Sequence, residues 1–305
     1  MRWRPRVVAG RLPAVTTIRQ GDRGPAVLEL QTLLAMTGHD PGPLDGIFGP
    51  RTQAAALDAM MLTPGWAATS RALAPDDLSG LRALPSRAVE LPRVMTPIAE
   101  VDMRIALVAG YEATTPWMCI EQDGSVAARE RLVHQCADHA KRSFYAVRVA
   151  LAQLAVEHGR RVWDAGLEHE LAEKGRLPPP WVRPKAGERA LVKVWNNNVG
   201  NRPVGFTPKQ GLPRVPWFAL PAPEGSGSAA RILTSACYAY LNAAEGAAAY
   251  WRFLRDRCGP ALAAFEAGDP ARAAHELKIG VWSYSGDEAS YTRAMVDQYA
   301  SLGSP

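Results

Sequence analysis

The alternation of apolar and polar residues predicts two short helices within the first sixty positions of the chain. The first has an apolar face with residues at i, i+3, i+4 and i+7: Val27, Leu30, Gln31 and Leu34. A glycine-rich stretch follows, in which glycines supply positive φ or close backbone approach, and an alanine-rich helix is predicted over 52–60. We expect these two helices to belong to a small three-helix domain over residues 15–65.

Beyond this domain the pattern changes twice. Prolines recur between residues 64 and 97, too closely for long helices, and predict a proline-rich linker over 66–100. Helical periodicity then returns over 128–162, 235–257, 260–267, 270–279 and 288–302. A strand is predicted at 190–195, and turns or loops at 174–187 and 221–227. The fold class is mainly α, with a second domain over 101–305 that carries a small loop or β lobe.

Composition excludes several classes of protein. Hydrophobic residues make up 47% and charged residues 21% of the 305 positions, as in ordinary globular chains. The net charge of +5 is spread along the sequence, so we expect no nucleic-acid partner. No apolar run reaches the roughly 18 residues of a membrane span. The basic N-terminus lacks the apolar core of a secretory signal peptide, so we expect synthesis in the cytoplasm.

Cysteines and histidines give no metal or redox motif. The four cysteines, Cys119, Cys136, Cys237 and Cys258, contain no C-x-x-C pair. Buried free thiols are the favoured interpretation, and a bridge between the first two stays open. His134 and His139 flank Cys136, but no third or fourth ligand and no H-E-x-x-H pattern accompany them. No G-x-S-x-G motif is present either, so we expect neither a metal nor a cofactor.

The glycine-rich N-terminal segment carries a specific motif. It reads GDRGPAVLELQTLLAMTGHDPGPLDGIFGPRT over residues 21–52. This resembles the peptidoglycan-binding type 1 domain, whose pattern is G-x-x-G-x-x-V-x-x-L-Q-x-x-L followed by a glycine turn and D-G-x-F-G-x-x-T. The resemblance implies peptidoglycan as the partner. The residues that match this motif are Gln31, Asp45, Gly46, Phe48, Gly49 and Thr52.

Glu157 is the strongest candidate for an acid catalyst. It ends a predicted helix, three positions after Leu154 and seven after Ala150, and so borders the apolar face. A carboxyl group there is partly desolvated, which favours its protonated form. A protonated carboxylic acid is what protonation of a glycosidic oxygen needs.

Two further segments have polar and aromatic residues in a pattern suited to binding sugars. The segment W-N-N-N-V-G-N, residues 195–201, predicts a loop that hydrogen-bonds acetamido groups and hydroxyls. The segments Y-A-Y at 238–240 and G-V-W-S-Y-S-G-D at 280–287 precede helices, and Asp287 is a suitable N-cap.

Taken in order, these segments resemble the glucosaminidase family of peptidoglycan hydrolases, the lysozyme-like glycoside hydrolase family 73. The resemblance spans about 140–302 and implies an α-helical lysozyme-like domain. It makes Glu157 the general acid and Tyr284 a catalytic residue lining the cleft. The implied substrate-binding residues are Trp195, Asn197, Asn198, Gly200, Tyr240 and Asp287. Glu245 and Tyr291 also match, the latter displaced by one position, and no tryptophan follows Glu157 before Trp163.

The second carboxylate is open. Glu168, Glu170 and Glu188 lie between the acid and the asparagine loop. Inverting and retaining glycosidases differ in the separation of the two carboxyl groups, and a sequence does not supply that distance. A mechanism assisted by the substrate's 2-acetamido group needs no second carboxylate.

The sequence therefore predicts a modular, bacteriolytic peptidoglycan hydrolase of endo-β-N-acetylglucosaminidase type, acting as a monomer. Muramidase or lytic transglycosylase action on the neighbouring bond is the close alternative. A wall-binding protein without catalysis is the alternative from another class. We expect access to the wall through holin-type release, as for a phage endolysin, or through dedicated secretion of an effector, without membrane insertion.

Overall fold

A computed structural model of the chain is mostly helical, with small antiparallel sheets. It describes residues 17–61, 72–73, 81, 90–115, 126–199, 216–224, 231–280 and 287–302. The chain divides into two compact units, one of Met1–Val89 with Arg214–Pro216 and one of Glu90–Pro213 with Trp217–Pro305. The mainly α class expected from the hydrophobic pattern is confirmed.

The first unit contains helices α1 (Pro25–Met36) and α2 (Pro50–Met61) and strands β1 (Ile18–Arg19) and β2 (Ala72–Leu73). Proline at the start of each helix has its φ preset and gives up an amide that the first turn leaves unbonded. Val27, Leu30 and Leu34 are buried along α1, as their spacing predicts. Strand β2 lies beyond residue 65, within the segment predicted to be linker, and pairs antiparallel with β1.

Helices build most of the second unit. In chain order they are α3 (Glu100–Thr114), α4 (Val126–His158), α5 (Ala165–Glu173), α6 (Ala243–Arg257), α7 (Gly259–Ala267), α8 (Pro270–Gly280) and α9 (Glu288–Ser301). One core joins α3, α4 and α6 to α9, with its largest fully buried side chains being Tyr111, Tyr250, Trp251 and Phe265. The apolar C-terminal part of α4, from Ala146 to Ala155, packs in this core. The core therefore fixes the position of the side chains at the C-terminal end of α4.

The sheets of this unit are antiparallel. Strands β3 (Ile98–Ala99) and β4 (Arg160–Val162) flank β5 (Arg189–Leu191). Trp163, Leu167 and Leu171 pack with Met95 and Val192 in a second, smaller core beside this sheet. The predicted linker over 66–100 therefore ends in residues that pair within the second unit, because Ile98 faces Leu191.

Strands β6 (Trp217–Glu224) and β7 (Arg231–Tyr238) correct two sequence predictions. The predicted turn over 221–227 begins within β6, and the helix predicted from 235 begins only at Ala243. Pairing with a partner strand decides the conformation here, and a local pattern does not show that partner. The break before α6 comes at Asn242, whose side chain accepts from Glu245 N as an N-cap.

The helical stretch predicted over 128–162 is one continuous helix, α4, which ends at His158, four residues earlier than predicted. Gly159 follows with φ 67°, and β4 begins directly after it. Among the described residues, no helix combines the length and apolar character needed to cross a membrane.

Candidate functional site

Glu157 lies on the last turn of α4 and is half-buried, as the sequence pattern predicts. Leu151, Leu154 and Ala155 just before it are buried in the main core. The carboxylate therefore stands where a long, firmly packed helix meets the surface. A rigid helix end of this kind holds a reacting group more narrowly than a loop does.

Tyr291 contacts this carboxylate directly. The hydroxyl of Tyr291, on the first turn of α9, donates to Glu157 Oε1 at 2.7 Å. Asp287 caps α9 by accepting from Ala289 N and Ser290 N, which fixes the start of the helix that carries the tyrosine. Tyr291 matched a family motif in the sequence but had no predicted role, because its contact with Glu157 depends on how α9 packs against the end of α4 in the tertiary structure.

A second tyrosine, Tyr250, is buried against the helix that carries Glu157. Tyr250, on α6, is fully buried, and its hydroxyl donates to Gln153 Oε1 at 2.5 Å. Burial, followed by the negative charge of Glu157 and the presence of Cys258, raises the pKa of Tyr250 well above its usual value. Gln153 and Tyr250 were absent from the predicted site. A buried glutamine one turn before the acid was the available signal.

His158, next to Glu157, contacts the segment that follows β5. It is fully buried, and its Nδ1 lies 3.1 Å from the carbonyl oxygen of Lys193. A carbonyl only accepts, so the neutral ring donates from Nδ1. Burial lowers the pKa of His158 to about 4, although the Lys193 bond acts the other way. The ring is therefore neutral over the range in which most histidines titrate.

The asparagine loop is held by its own side chains. Asn196 and Asn197 have positive φ, 47° and 54°, which asparagine tolerates better than most residues. Asn196 Nδ2 donates to Pro92 O, and its Oδ1 accepts from Val94 N. These bonds tie the loop to the segment that precedes β3.

Asn197 ties the same loop to the entrance of α6. Its Nδ2 donates to the carbonyl oxygens of Tyr240 and Leu241, each at 3.1 Å. Gly246 lies so close that a Cβ there would stand 2.1 Å from Asn197 O. Asn198 is fully buried. The amide of Asn197 and the side chain of Asn198 thus serve the fold of the loop, whereas the prediction gave them contacts with substrate.

Three other predicted substrate-binding residues lie at or near the surface. Trp195 is half-buried, with the guanidinium of Arg93 4.7 Å from its ring centroid. Tyr240 is half-buried and stacks with Tyr238, their ring centroids 6.2 Å apart. Asp287 is exposed, and its carboxylate caps α9. Tyr284 and Gly200 lie outside the described residues.

Of the candidate second carboxylates, Glu168 and Glu170 are engaged in the small core and on its surface. Glu168 accepts from Trp163 Nε1 at 2.7 Å and pairs with Arg183 at 3.2 Å. Glu170 pairs with Lys174 and Arg161, and these hydrogen bonds lower its pKa to about 2. A carboxylate so stabilised is a weak base, and its oxygens are already bonded to these two cations.

Glu188 lies in a cleft of about 450 Å³ whose lining includes neither Glu157 nor Tyr291. Its charged lining residues are Glu100, Arg104, Arg160, Glu188 and Arg189. Glu100 pairs with both Arg104 and Arg160, and Glu188 accepts from Lys185 N at 2.9 Å. Each of the three candidates is therefore engaged with groups other than Glu157.

The motif residues of the first unit form one hydrogen-bonded network. Gln31 is buried, its Oε1 accepts from Gly46 N at 2.8 Å, and its Nε2 donates to Asp45 Oδ1 at 3.0 Å. The same nitrogen lies 3.1 Å from Ile47 O and 3.2 Å from Thr52 Oγ1. Gly46 takes φ 70°, which favours glycine in the D-G turn.

The rest of the motif completes this network. Thr52 donates to Pro41 O, Phe48 is buried, and Gly49 N donates to Ile47 O. The motif therefore specifies how the turn between α1 and α2 is built. The buried members of the motif, Gln31, Gly46, Phe48 and Thr52, have little surface with which to contact a ligand.

Metal-ligating groups do not gather in the described part of the chain, where no cluster of three or more histidine, cysteine or acidic residues occurs. His139 instead lies 2.9 Å from Glu112 Oε2, and Cys237 and Cys258 are buried free thiols. Cys136 is exposed, whereas the sequence predicted a buried thiol there. Cys119 lies outside the described residues, so a bridge between these two cysteines stays open. The chain matches no protein-family model, no curated protein and no solved structure.

Proposed function

We propose that this protein is a peptidoglycan hydrolase that cleaves the glycan strand, with Glu157 as its general acid and the first unit as its wall-binding part. One observation carries the proposal: a half-buried carboxyl group at the end of α4 accepts a hydrogen bond from Tyr291. A partly desolvated carboxyl with a fixed orientation is suited to deliver a proton to a glycosidic oxygen.

The wall-binding role rests on the motif of the first unit. Gln31, Asp45, Gly46 and Thr52 satisfy one another around a single turn, which is a physical reason for their joint occurrence. Attachment to the wall would raise the local concentration of glycan around the second unit. Cleavage of the N-acetylglucosaminyl β-1,4 bond is the proposed specificity, with muramidase or transglycosylase action as variants of the same chemistry.

The decisive experiment combines turbidity of purified sacculi with mass spectrometry of the released fragments. Glu157→Gln keeps the side-chain shape and the oxygen that accepts from Tyr291, but it has no proton to deliver. We expect hydrolysis to fall about 10²–10⁴-fold, the usual contribution of general acid catalysis. The reducing-end sugar of the fragments identifies the bond that is cut.

Glu173→Gln is the matched control, because this glutamate is exposed on α5 and pairs with its helix neighbour His169. It should leave hydrolysis and melting temperature near those of the wild type. A wild-type chain that pellets with sacculi but never releases fragments would instead indicate the non-catalytic wall-binding protein. The occupation of Asn197 and Asn198 within the fold favours that alternative.

A further inference from the structure

A buried polar layer lies one helical turn below Glu157. Gln153 and Glu157 stand four residues apart on α4, so their side chains share one face of the helix. Gln153 and Tyr250 are both fully buried and joined by the hydrogen bond from the phenol to Oε1. The phenol of Tyr250 is thereby fixed to the helix turn that precedes Glu157, and the charge of Glu157 is one cause of the raised pKa of Tyr250.

The single proton of Tyr250 is committed to Gln153. A phenol has one proton to donate and oxygen lone pairs with which to accept. In this arrangement Tyr250 can accept a hydrogen bond from a neighbouring carboxylic acid and has no proton to donate to a carboxylate. Such a neighbour favours the neutral form of the acid, because a carboxylate gains stability from donors.

The orientation of Gln153 is set by Tyr250 alone. Its Nε2 is buried and has no hydrogen-bond partner among the described residues. A buried amide nitrogen without a partner costs free energy, so such an atom calls for an explanation. Withholding the Tyr250 proton from Glu157 is a function that this orientation performs.

Several other ionisable groups lie on the elements around Glu157. Tyr291 donates to Glu157 from α9, and His158 turns to the carbonyl of Lys193. Burial raises the pKa of the Cys258 thiol, which lies near Tyr250 at the end of α6. The first turn of α9 and the facing α8 contribute a surface cluster: Glu288 with His275 and Lys278.

We propose that Gln153 and Tyr250 are positioning residues that hold Glu157 in its proton-bearing form. This inference rests on the proposed function, because a general acid needs its proton before the substrate arrives. Tyr291 orients the carboxyl from outside, and the Gln153–Tyr250 pair acts on its protonation from within the core.

Gln153→Met tests the pair, because methionine keeps the length of the side chain and removes the acceptor. The released Tyr250 proton is then free to stabilise the Glu157 carboxylate. The titration midpoint of Glu157 should fall by about one pH unit or more, as for a hydrogen bond to a charged group. Tyr250→Phe removes the phenol that favours the neutral acid but has no proton to release, so the midpoint should fall by less than in Gln153→Met. Adding it to Gln153→Met should reduce the fall seen in that variant.

The midpoint is measured by carbon NMR of the full chain carrying glutamate labelled at the carboxyl carbon, with Glu157→Gln identifying its signal. An unchanged or higher midpoint in Gln153→Met overturns the proposal. If that variant does not fold, a rise of the midpoint in Tyr250→Phe overturns the proposal equally. A fall in Gln153→Met in a chain that never cleaves sacculi would reject the proposed function and keep the positioning role.

Discussion

Replacing Gln31 by leucine is the sharpest test of how the first unit is built. The side chain is 1% exposed and joins α1 to the turn that precedes α2. Leucine keeps the approximate volume, so the change removes hydrogen bonds with little loss of packing. The amide of Gly46 would lose its acceptor at 2.8 Å, and Asp45 would lose a donor at 3.0 Å.

The magnitude follows from these bonds. A buried amide left without a partner costs about 1–3 kcal/mol, and a lost hydrogen bond to a carboxylate costs about 1.5–3 kcal/mol. Asp45 keeps its bond from Ile47 N, and Thr52 keeps its bond to Pro41 O, so the remaining network survives. We expect the first unit to lose about 2–4 kcal/mol of unfolding free energy. Its melting temperature should fall by on the order of 10 °C.

Calorimetry of the full chain, with hydrogen exchange of peptides covering residues 43–52, measures this loss. Gln53→Leu on α2 is the control, and a half-buried position of this kind should change stability by about 0.5 kcal/mol or less. Equal stability of the two variants would refute the structural role of Gln31. Weaker sacculus binding at unchanged stability would place Gln31 in the ligand contact instead.

Three further changes probe the second unit. Gly246→Ala should destabilise it by about 1–3 kcal/mol, the usual cost of overpacking, because the added Cβ meets Asn197 O; urea unfolding measures the loss, and a neutral result would contradict this close approach. Asp287→Ala should cost about 1 kcal/mol through loss of the α9 cap, seen in thermal melts, and activity lost at full stability would instead favour the predicted substrate contact. Because the pKa of His158 is lowered to about 4 in the folded state, the folded protein binds this proton only at a lower pH than the unfolded chain does. Stability from this group is therefore complete above about pH 6.5 and declines toward pH 4, by up to about 3 kcal/mol, and His158→Phe should flatten that part of the stability curve.

Local pattern was sufficient for helices α1, α2, α4 and α7 to α9 and for the position of Glu157, whereas α3 and α5 were not singled out and α6 begins later than predicted. The spacing of Val27, Leu30 and Leu34 and that of Ala150 and Leu154 give the buried faces directly. Helix α4 ends four residues before the predicted position 162, where Gly159 follows with positive φ. The D-G turn of the first unit is likewise readable, since the residue types that build it occur at fixed offsets.

The hairpin of β6 and β7 was not readable, because each strand is stabilised by the other and by burial that the local sequence does not show. The same limit applies to Asn197, which the asparagine-rich loop and the family resemblance assigned to substrate binding. Its amide is instead used by the carbonyls of Tyr240 and Leu241, more than forty positions away.

The sequence by itself thus determined the helical class, the turn motif of the first unit and an acid at the edge of an apolar face. Only the tertiary structure decided which groups surround that acid. Tyr291 lies 134 positions from Glu157 along the chain, and Tyr250 lies 97 positions from Gln153. Side-chain spacing within one helix constrains its faces, whereas contacts between helices depend on how the whole core packs.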